Sequence, residues 1–278
     1  PVECAGRTSA VVVARDHEDA PTGDGHLPDT VVGVHDLPSV TAAALLLAGG
    51  SGTRMAAEQN KVYLPVDGRA VIDRSLEVLD RADAVTSIVM VIRPDARALG
   101  EAAIERVVER TAVTVVHGGV TRTASELAGL AVVERRPGPE RPDLVMIHDA
   151  ARPFLTIGLL ERLVDAAVEH GGAVPGVEMN EPVVVDADGS GPRRPPEGRL
   201  VRVQTPQVFA TAPLLAAYAD LDPETSSVDT AHVVELHGGV VVQVVASDDR
   251  NLKVTRPADL DRADELAATW DAGRWITS

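Results

Sequence analysis

The feature of this sequence that most constrains its fold is a regular alternation that begins at Thr41. From there, apolar runs of four to eight residues alternate with amphipathic stretches, which is the pattern that βα units produce. Aromatic residues make up only 2% of the chain, so the core must consist mainly of Val, Leu, Ala and Ile, which suits a parallel sheet buried on both faces. We therefore predict an α/β fold with a mostly parallel sheet and helices on both faces.

The same pattern predicts the individual elements. The predicted strands lie at 43–48, 87–92, 114–117, 144–148, 172–177 and 240–245. The predicted helices lie at 70–81, 96–111, 123–133, 157–170, 211–220, 230–237 and 257–268. Between Val183 and Val203, short apolar runs flank Asp188-Gly189 and a segment rich in Pro and Arg, which predicts a protruding β-arm over about 178–203.

Residues 1–40 differ from the rest in composition. Acidic residues stand there among Pro, Gly and Thr, so we expect a solvated, flexible extension before a folded domain over 41–269 and a short tail over 270–278. The His and acidic residues between His17 and His26 are of metal-binding types, but their spacing is irregular and an acidic tail is the better interpretation. Valine runs at 11–13 and 31–34 are candidates for an added edge strand.

Charge and cysteine content exclude several classes of function. A net charge of −16 argues against a nucleic-acid surface, which needs clustered Lys and Arg to bind phosphates. The apolar runs, such as 42–48, are much shorter than the roughly 18 to 20 residues that a membrane helix needs. The single cysteine, Cys4, excludes an internal disulfide, and we expect no export signal because the opening residues lack a charged-then-apolar pattern. We expect a soluble, cytoplasmic protein that binds neither membranes nor nucleic acid.

The first predicted strand ends in a glycine-rich loop that carries a cation. The loop reads LAGGSGTRM over residues 47–55, and NKVYL follows at 60–64. Glycines at a strand end let backbone N–H groups approach a phosphate, because no Cβ blocks them. The spacing matches neither the P-loop nor the dinucleotide-binding motif. Two cations, Arg54 and Lys61, beside such a turn suit a triphosphate, although a tight turn with two surface cations explains this stretch equally well when it is taken alone.

Two further strand ends carry charged side chains. The fourth predicted strand ends in HDAARPF over residues 148–154, which brings Asp149 and Arg152 to the edge where α/β sheets bind ligands. Asp149 offers a carboxylate for Mg²⁺, whereas His148 is more typical of a packed residue. The last predicted strand precedes DDRNLKVT at 248–255, which offers a second carboxylate and a third cation, Lys253, or simply a solvent-facing turn.

Taken in order, these motifs resemble those of a known enzyme family. They are similar to motifs of the 2-C-methyl-D-erythritol 4-phosphate cytidylyltransferases and the related ribitol-5-phosphate cytidylyltransferases. The motifs are, in chain order, LAGGSGTRM, KVYL, GGVTRTAS at 118–125, HDAARP, QTPQVF at 204–209, NLKVT and PADL at 257–260. The resemblance covers roughly residues 41–268. It implies a Rossmann-like sheet of the nucleotide-diphospho-sugar transferase type, CTP as a substrate, Mg²⁺ as a cofactor, and a homodimer that forms through the arm.

The resemblance also implies roles for individual residues. Arg54, Lys61 and Lys253 would be catalytic, the first two holding the triphosphate and the third bridging the two phosphates that react. Asp149 and Asp249 would hold Mg²⁺, and Arg152 and Thr205 would help to bind the polyol phosphate. The residues implied to bind the nucleotide are Ala48, Gly49, Gly50, Gly52, Gly119 and Ser125.

The sequence departs from the family mainly on the acceptor side. The stretch EMNEP at 178–182, which includes Asn180 and Pro182, stands where an Asp-Thr pair and a Lys are usual. Glu197 stands where the arm usually carries an Arg, although Arg194 and Arg199 lie nearby. The usual Thr-Asp-Asp/Glu-Ala appears as VDTA at 228–231, and the Pro that commonly precedes the loop lysine is Asn60. A carboxylate that faces a substrate phosphate is repulsive, so either a neighbouring Arg replaces the missing one or the acceptor differs.

Three interpretations remain open at this point. We predict a CTP-dependent cytidylyltransferase that acts on 2-C-methyl-D-erythritol 4-phosphate, a precursor of isoprenoids, and releases pyrophosphate. Ribitol 5-phosphate is the alternative acceptor, while QTPQ and HDAARP argue against a hexose 1-phosphate. A catalytically silent nucleotide-binding relative is the alternative from another functional class.

Overall fold

A mixed sheet runs through the molecule, and helices cover both of its faces. The computed structural model describes residues 11–14, 40–50, 60–179, 184–185, 192–193, 199–224 and 229–270. The strands in this part of the chain are β1 (Val11–Ala14), β2 (Ala42–Leu47), β3 (Pro65–Val66), β4 (Arg69–Ala70), β5 (Val85–Ile92), β6 (Ala112–His117), β7 (Leu144–Asp149), β8 (Gly172–Glu178), β9 (Val184–Val185), β10 (Pro192–Arg193), β11 (Arg199–Val203), β12 (Gln207–Ala210) and β13 (Gln243–Ala246). The α-helices are α1 (Val71–Arg81), α2 (Arg97–Val107), α3 (Arg122–Glu134), α4 (Ile157–His170), α5 (Thr211–Tyr218), α6 (Thr230–His237) and α7 (Pro257–Ala268).

Four parallel strands form the half of the sheet that carries the glycine loop. β2 pairs with β5 on one side and β7 on the other, and β6 pairs with β5. β12 pairs antiparallel with both β7 and β8, which makes β8 run in the direction of β7, and β13 pairs parallel with β8. The predicted mostly parallel α/β sheet is therefore confirmed, and the carboxyl ends of β2 and β7 meet at one edge.

The core has one apolar layer on each face of the sheet. Along β2, Ala42, Ala44 and Leu46 face a layer that contains residues of α1, α2 and α4, while Ala43 and Leu45 face residues of α3, α5 and α6. Because successive strand residues point to opposite faces, an uninterrupted apolar run is what a strand covered on both sides requires.

A third, smaller cluster anchors the C-terminal helix, α7, to the rest of the fold. Its buried members are Val66, Val71, Phe154, Val254, Ala263 and Ala267. The ring of Trp270 lies 4.9 Å from that of Phe154, so this tryptophan covers the end of α7. Backbone bonding joins the cluster to the functional edge, because the Val254 N–H donates to the Ala151 carbonyl 2.8 Å away.

The two largest differences from the predicted element boundaries have clear physical reasons. α2 ends at Val107 rather than at 111, because the carboxylate of Asp80 accepts the backbone N–H groups of Glu109, Arg110 and Thr111 and holds them outside the helix. β13 starts at Gln243 rather than at 240, and Val240 instead packs near Gly171 and Gly172.

The chain ends and the arm are only partly described. The N-terminal valine run predicted as an edge strand forms β1, which pairs antiparallel with β11, whereas the run at 31–34 lies outside the described residues. β9 and β10 form a separate two-stranded ladder within the predicted arm. The arm residues Asn180, Pro182, Arg194 and Glu197 also lie outside the described part of the chain. In the part that is described, no helix has the length and apolar character to cross a membrane.

Candidate active site

Asp149 is the centre of the charged groups at the sheet edge. It ends β7 opposite Leu47 of β2, and only 6% of it is exposed. Its Oδ1 accepts from Arg122 Nη1 at 2.7 Å, and its Oδ2 accepts from Lys253 Nζ at 2.6 Å, while Arg152 Nε lies 4.0 Å from Oδ2. Burial alone would raise the pKa of Asp149, but Lys253, Arg122 and Arg152 hold that pKa well below its usual range. The carboxylate therefore stays ionised inside a ring of three cations.

A hydrogen-bond relay fixes the backbone on both sides of Asp149. The Thr205 hydroxyl accepts the Asp149 backbone N–H at 3.0 Å and lies 3.2 Å from His148 Nδ1. His148 Nε2 lies 3.2 Å from the Arg152 carbonyl, an acceptor, so the proton of a neutral ring sits on Nε2 and the Thr205 hydroxyl donates to Nδ1. Burial lowers the pKa of His148 to about 4, so this ring is neutral at physiological pH. Its role is to orient the strand end, as expected for a packed histidine.

The loop after β13 is held in place by the polar residues of QTPQ. Gln204 donates from Nε2 to the Asp248 carbonyl and accepts from Ser247 Oγ. Asn251 Nδ2 donates to Gln204 Oε1 and to the Thr205 carbonyl, both at 3.0 Å. The Asn251 carbonyl accepts from Arg152 Nη1 at 2.8 Å, which aims this buried guanidinium along the edge. These contacts bring Lys253, which is more than 100 residues away in sequence, onto Asp149.

The described part of the glycine loop is closed by Asn60. Its buried side chain donates from Nδ2 to the Ala48 carbonyl at 2.7 Å and accepts the Val62 backbone N–H through Oδ1 at 3.3 Å. One amide thus joins the start of the loop to the short 3₁₀ turn at Lys61–Tyr63. The proline that is usual here has no side-chain donor and cannot make the bond to Ala48.

The GGVTRTAS segment folds tightly onto the start of α3. Thr121 caps the helix by accepting the Ala124 N–H at 2.9 Å, and Ser125 Oγ lies 3.2 Å from the Gly119 nitrogen, from which it accepts. A Cβ at Gly118 would lie 2.7 Å from Ser125 Oγ, and one at Gly119 would lie 2.4 Å from the Ala124 Cβ. Both glycines are therefore required for this close approach of backbone to helix.

A family assignment can now be made from comparison with known proteins. The family model described as "IspD: 2-C-methyl-D-erythritol 4-phosphate cytidylyltransferase" matches residues 42–268, which contain every site group described above. The chain belongs to this family.

Individual relatives agree with the family model. The chain is 37% identical over 231 residues to a bifunctional enzyme IspD/IspF of Rhizorhabdus wittichii, which covers 83% of this chain but 57% of that relative. It is 35% identical over 228 residues to a 2-C-methyl-D-erythritol 4-phosphate cytidylyltransferase of Geobacillus thermodenitrificans, with 81% of this chain and 96% of the relative covered. The chain thus spans little more than half the length of the bifunctional relatives that it matches.

A solved structure supports the same assignment. The crystal structure of 2-C-methyl-D-erythritol 4-phosphate cytidylyltransferase from Thermus thermophilus superimposes with a TM-score of 0.61 at 28% identity and covers 82% of this chain and 100% of its own. The resemblance to the IspD family expected from the motifs is confirmed.

Several of the site residues predicted for this IspD-family chain come together at one edge. Asp149 contacts Lys253, Arg152 and Thr205 directly. Ala48 lies beside them at the end of β2.

Gly119 and Ser125, two of the residues predicted to bind the nucleotide, contact each other in the adjacent loop. Gly49 and Gly50 follow β2, with no atom within 4 Å of a Cβ built at Gly50. Arg54 and Gly52 lie outside the described residues.

Asp249 is arranged differently from Asp149. Its carboxylate is 60% exposed and pairs with Arg202 of β11. Within the described ranges, no group of three or more His, Cys, Asp or Glu side chains is arranged to hold a metal ion. Both acids predicted to bind Mg²⁺ are therefore paired with protein cations in this structure.

The sequence interpretation gave no role to three residues that build the site. Arg122 binds Asp149, Glu126 binds Arg122, and Asn251 binds Gln204. The sequence does indicate one of these contacts, because Arg122 and Glu126 are four residues apart and therefore share a helix face. The contacts of Asn251 join segments that are distant in sequence, so only the folded chain reveals them.

Proposed function

We propose that this chain transfers the cytidylyl group of CTP to 2-C-methyl-D-erythritol 4-phosphate and releases pyrophosphate. The observation that carries the proposal is the convergence of Lys253 and Arg122 on the buried carboxylate of Asp149, directly beside the end of β2 from which the glycine loop departs. Few functions other than phosphate chemistry explain such a collection of cations in a chain with a net charge of −16.

The reaction needs positioning and charge stabilisation more than proton transfer. A phosphate monoester is already a dianion near neutral pH, since its second pKa is about 6. One of its oxygens attacks the α-phosphorus of CTP, a new P–O bond forms, and the bond to the bridging oxygen breaks as pyrophosphate leaves. We propose that Lys61 and Arg54 hold the triphosphate, and that Lys253 brings the two repelling phosphates together.

Magnesium is proposed as the metal that accompanies CTP. Mg²⁺ is typically bound by one or two carboxylates together with substrate phosphates and water, and Asp149, ionised and at the sheet edge, fits that donor set. We propose that Asp149 holds the ion and that Asp249 contributes when it separates from Arg202. When bound, Mg²⁺ would neutralise the charge that develops on the leaving pyrophosphate.

The acceptor phosphate is proposed to bind near Arg152 and Thr205. Arg152 is 6% exposed, and burial lowers its pKa to about 10 despite the nearby Asp149 charge, so it stays a cation at neutral pH. Ribitol 5-phosphate remains the alternative acceptor because of the departures at Asn180, Pro182 and Glu197. A homodimer through the arm and a cytoplasmic location, where CTP is available, complete the proposal.

Pyrophosphate release tests the reaction and its acceptor together. The protein is incubated with CTP, Mg²⁺ and either 2-C-methyl-D-erythritol 4-phosphate or ribitol 5-phosphate, with isothermal titration of CTP in parallel. Release only with the first acceptor supports the proposal, and release only with the second selects the alternative. CTP binding without release from either acceptor would instead indicate a silent nucleotide-binding protein.

A lysine variant tests the assigned roles. Lys61→Ala should lower kcat by about 100-fold or more, by analogy with the loss of a preorganised electrostatic contact, while the free energy of unfolding changes by less than about 1 kcal/mol. Arg97→Ala is the matched control, because Arg97 is an exposed cation on α2 that pairs with Glu101. Near-normal turnover of Lys61→Ala would contradict the role proposed for this lysine.

A further inference from the structure

We propose that Glu126 is a positioning residue for the reaction, whose charge aligns Arg122 and, through it, the carboxylate of Asp149. The inference rests on the proposed function and adds to it a residue of α3 that lies one layer behind the reacting groups. It comes from a chain of contacts that joins α3, α5 and α6 to the end of β7.

Arg122 links the two carboxylates. Its Nη1 donates to Asp149 Oδ1 at 2.7 Å, and its Nε lies 2.8 Å from Glu126 Oε1. The Nε–H makes no directed hydrogen bond to that oxygen, so the contact with Glu126 is an ion pair. Burial alone would lower the pKa of Arg122, but Asp149 and Glu126 together raise it above its ordinary value, so the guanidinium is a permanent cation. An ionic contact of this kind depends on the charge of Glu126.

Glu126 is itself rigidly held although it is fully buried. The Tyr218 hydroxyl donates to its Oε2 at 2.7 Å, and the Thr230 hydroxyl donates to its Oε1 at 2.8 Å. The carboxylate is 0% exposed, so water does not screen its interaction with Arg122. Asp229, which caps α6, also faces the Arg122 charge, and its pKa is raised by burial. Two hydroxyls and one guanidinium thus fix this carboxylate from three sides.

The ion pair of Glu126 with Arg122 has a function beyond packing. Three cations surround Asp149, and two of them are needed elsewhere if Lys253 and Arg152 engage phosphates. Arg122 is the cation that remains with Asp149, and Glu126 prevents its guanidinium from swinging towards the triphosphate. Outer contacts that orient a metal-binding carboxylate commonly change metal affinity or activity by about 10- to 100-fold.

Kinetics of an isosteric variant test the proposal. Glu126→Gln keeps the shape and removes the charge, and we expect kcat to fall by about 10- to 100-fold while the KM for CTP stays within about threefold. Glu77→Gln is the matched control, because it makes the same change at a glutamate of α1 that pairs with Arg69 and Arg81 instead. We expect the kcat of this control to stay within about threefold of wild type.

A rescue variant separates charge from structure. In Glu126→Ala/Thr230→Glu, the carboxylate enters the same space from α6, since Thr230 Oγ1 lies 2.8 Å from Glu126 Oε1. We expect the kcat of this double variant to be about tenfold higher than that of Glu126→Ala. Crystal structures of wild type and Glu126→Gln, each with CTP bound, give a readout besides activity: the Arg122–Asp149 contact should be present in the first and lost in the second.

Several results would overturn the proposal. The first is a kcat of Glu126→Gln within about threefold of wild type, and the second is an equal loss of kcat in Glu126→Gln and Glu77→Gln. The third is an Arg122–Asp149 contact that persists in Glu126→Gln with CTP bound. If the wild-type protein releases no pyrophosphate with any acceptor, the proposed function fails. In that case the crystal structures alone decide whether Glu126 positions Arg122.

Discussion

Lys61 and Lys253 are the only lysines among the 26 basic residues of the chain, and the other basic residues are arginines. Lysine presents a compact point charge with three donors, whereas arginine presents a planar fork. Lys253 Nζ contacts one carboxylate oxygen of Asp149, and Arg122 contacts the other. The two lysines therefore offer a direct chemical probe of the site.

Amine acylation should report CTP binding at single-residue resolution. We expect saturating CTP with Mg²⁺ to slow acylation of both lysines about tenfold, because the occupied site excludes reagent by mass action. Labelling is measured by peptide mass spectrometry, with the N-terminal amine as internal reference. Cytidine is the matched control, because it lacks the phosphates that the lysines are proposed to hold. Unchanged labelling of both lysines with CTP would contradict their placement at the triphosphate.

Among the elements, strand ends and helix starts build the site, and helix α3 contributes most. Its cap at Thr121, its Ser125 contact with Gly119 and its Arg122 contact with Asp149 all lie in the first turn. Gly129, further along α3, allows close packing on the sheet, since a Cβ there would lie 2.8 Å from Leu45 Cδ2. The position of the helix against β2 thus sets the position of the loop before it.

Gly119→Ala should displace that loop and weaken nucleotide binding. The added Cβ would lie 2.4 Å from the Ala124 Cβ, so the backbone at the loop must move. We expect CTP affinity to fall by at least tenfold, or about 1.4 kcal/mol, as measured by isothermal titration calorimetry. Gly138→Ala is the control, because nothing lies within 4 Å of its added Cβ. Equal CTP affinity in both variants would show that Gly119 does not shape the site.

Across the whole molecule, a strongly acidic chain concentrates cations at one edge of its sheet. His148, which is neutral and buried at this edge, makes the free energy of unfolding depend on pH. Its pKa is about 4 in the folded protein and near 6.5 when exposed. Between these values the unfolded chain binds a proton that the folded chain does not, so stability falls as pH decreases through this window.

The free energy of unfolding should therefore drop on mild acidification. From pH 7 to pH 5, the His148 contribution amounts to a loss of about 2 kcal/mol, measured by urea denaturation at both pH values. His148→Asn provides the reference, because its loss over the same interval should be smaller by about that amount. Equal losses in the two proteins would mean that His148 does not carry this pH dependence. The Asp149 contribution lies outside this interval, since its pKa is lowered and its loss begins below about pH 4.

The sequence by itself determined the order of the elements, their amphipathic faces and the motifs at the strand ends, because these depend on periodicity and on residues close together in the chain. It predicted Asp149, Lys253 and Thr205 as site residues, yet it missed β12, a four-residue strand that includes the last Gln of QTPQ and is too short to show a period. Only the tertiary structure decided which distant charges pair: Lys253 and Arg122 with Asp149, and Arg202 with Asp249. The physical reason is that ion pairs depend on distance in space, and distances between segments 27 to 104 residues apart are set by the packing of the sheet and helices.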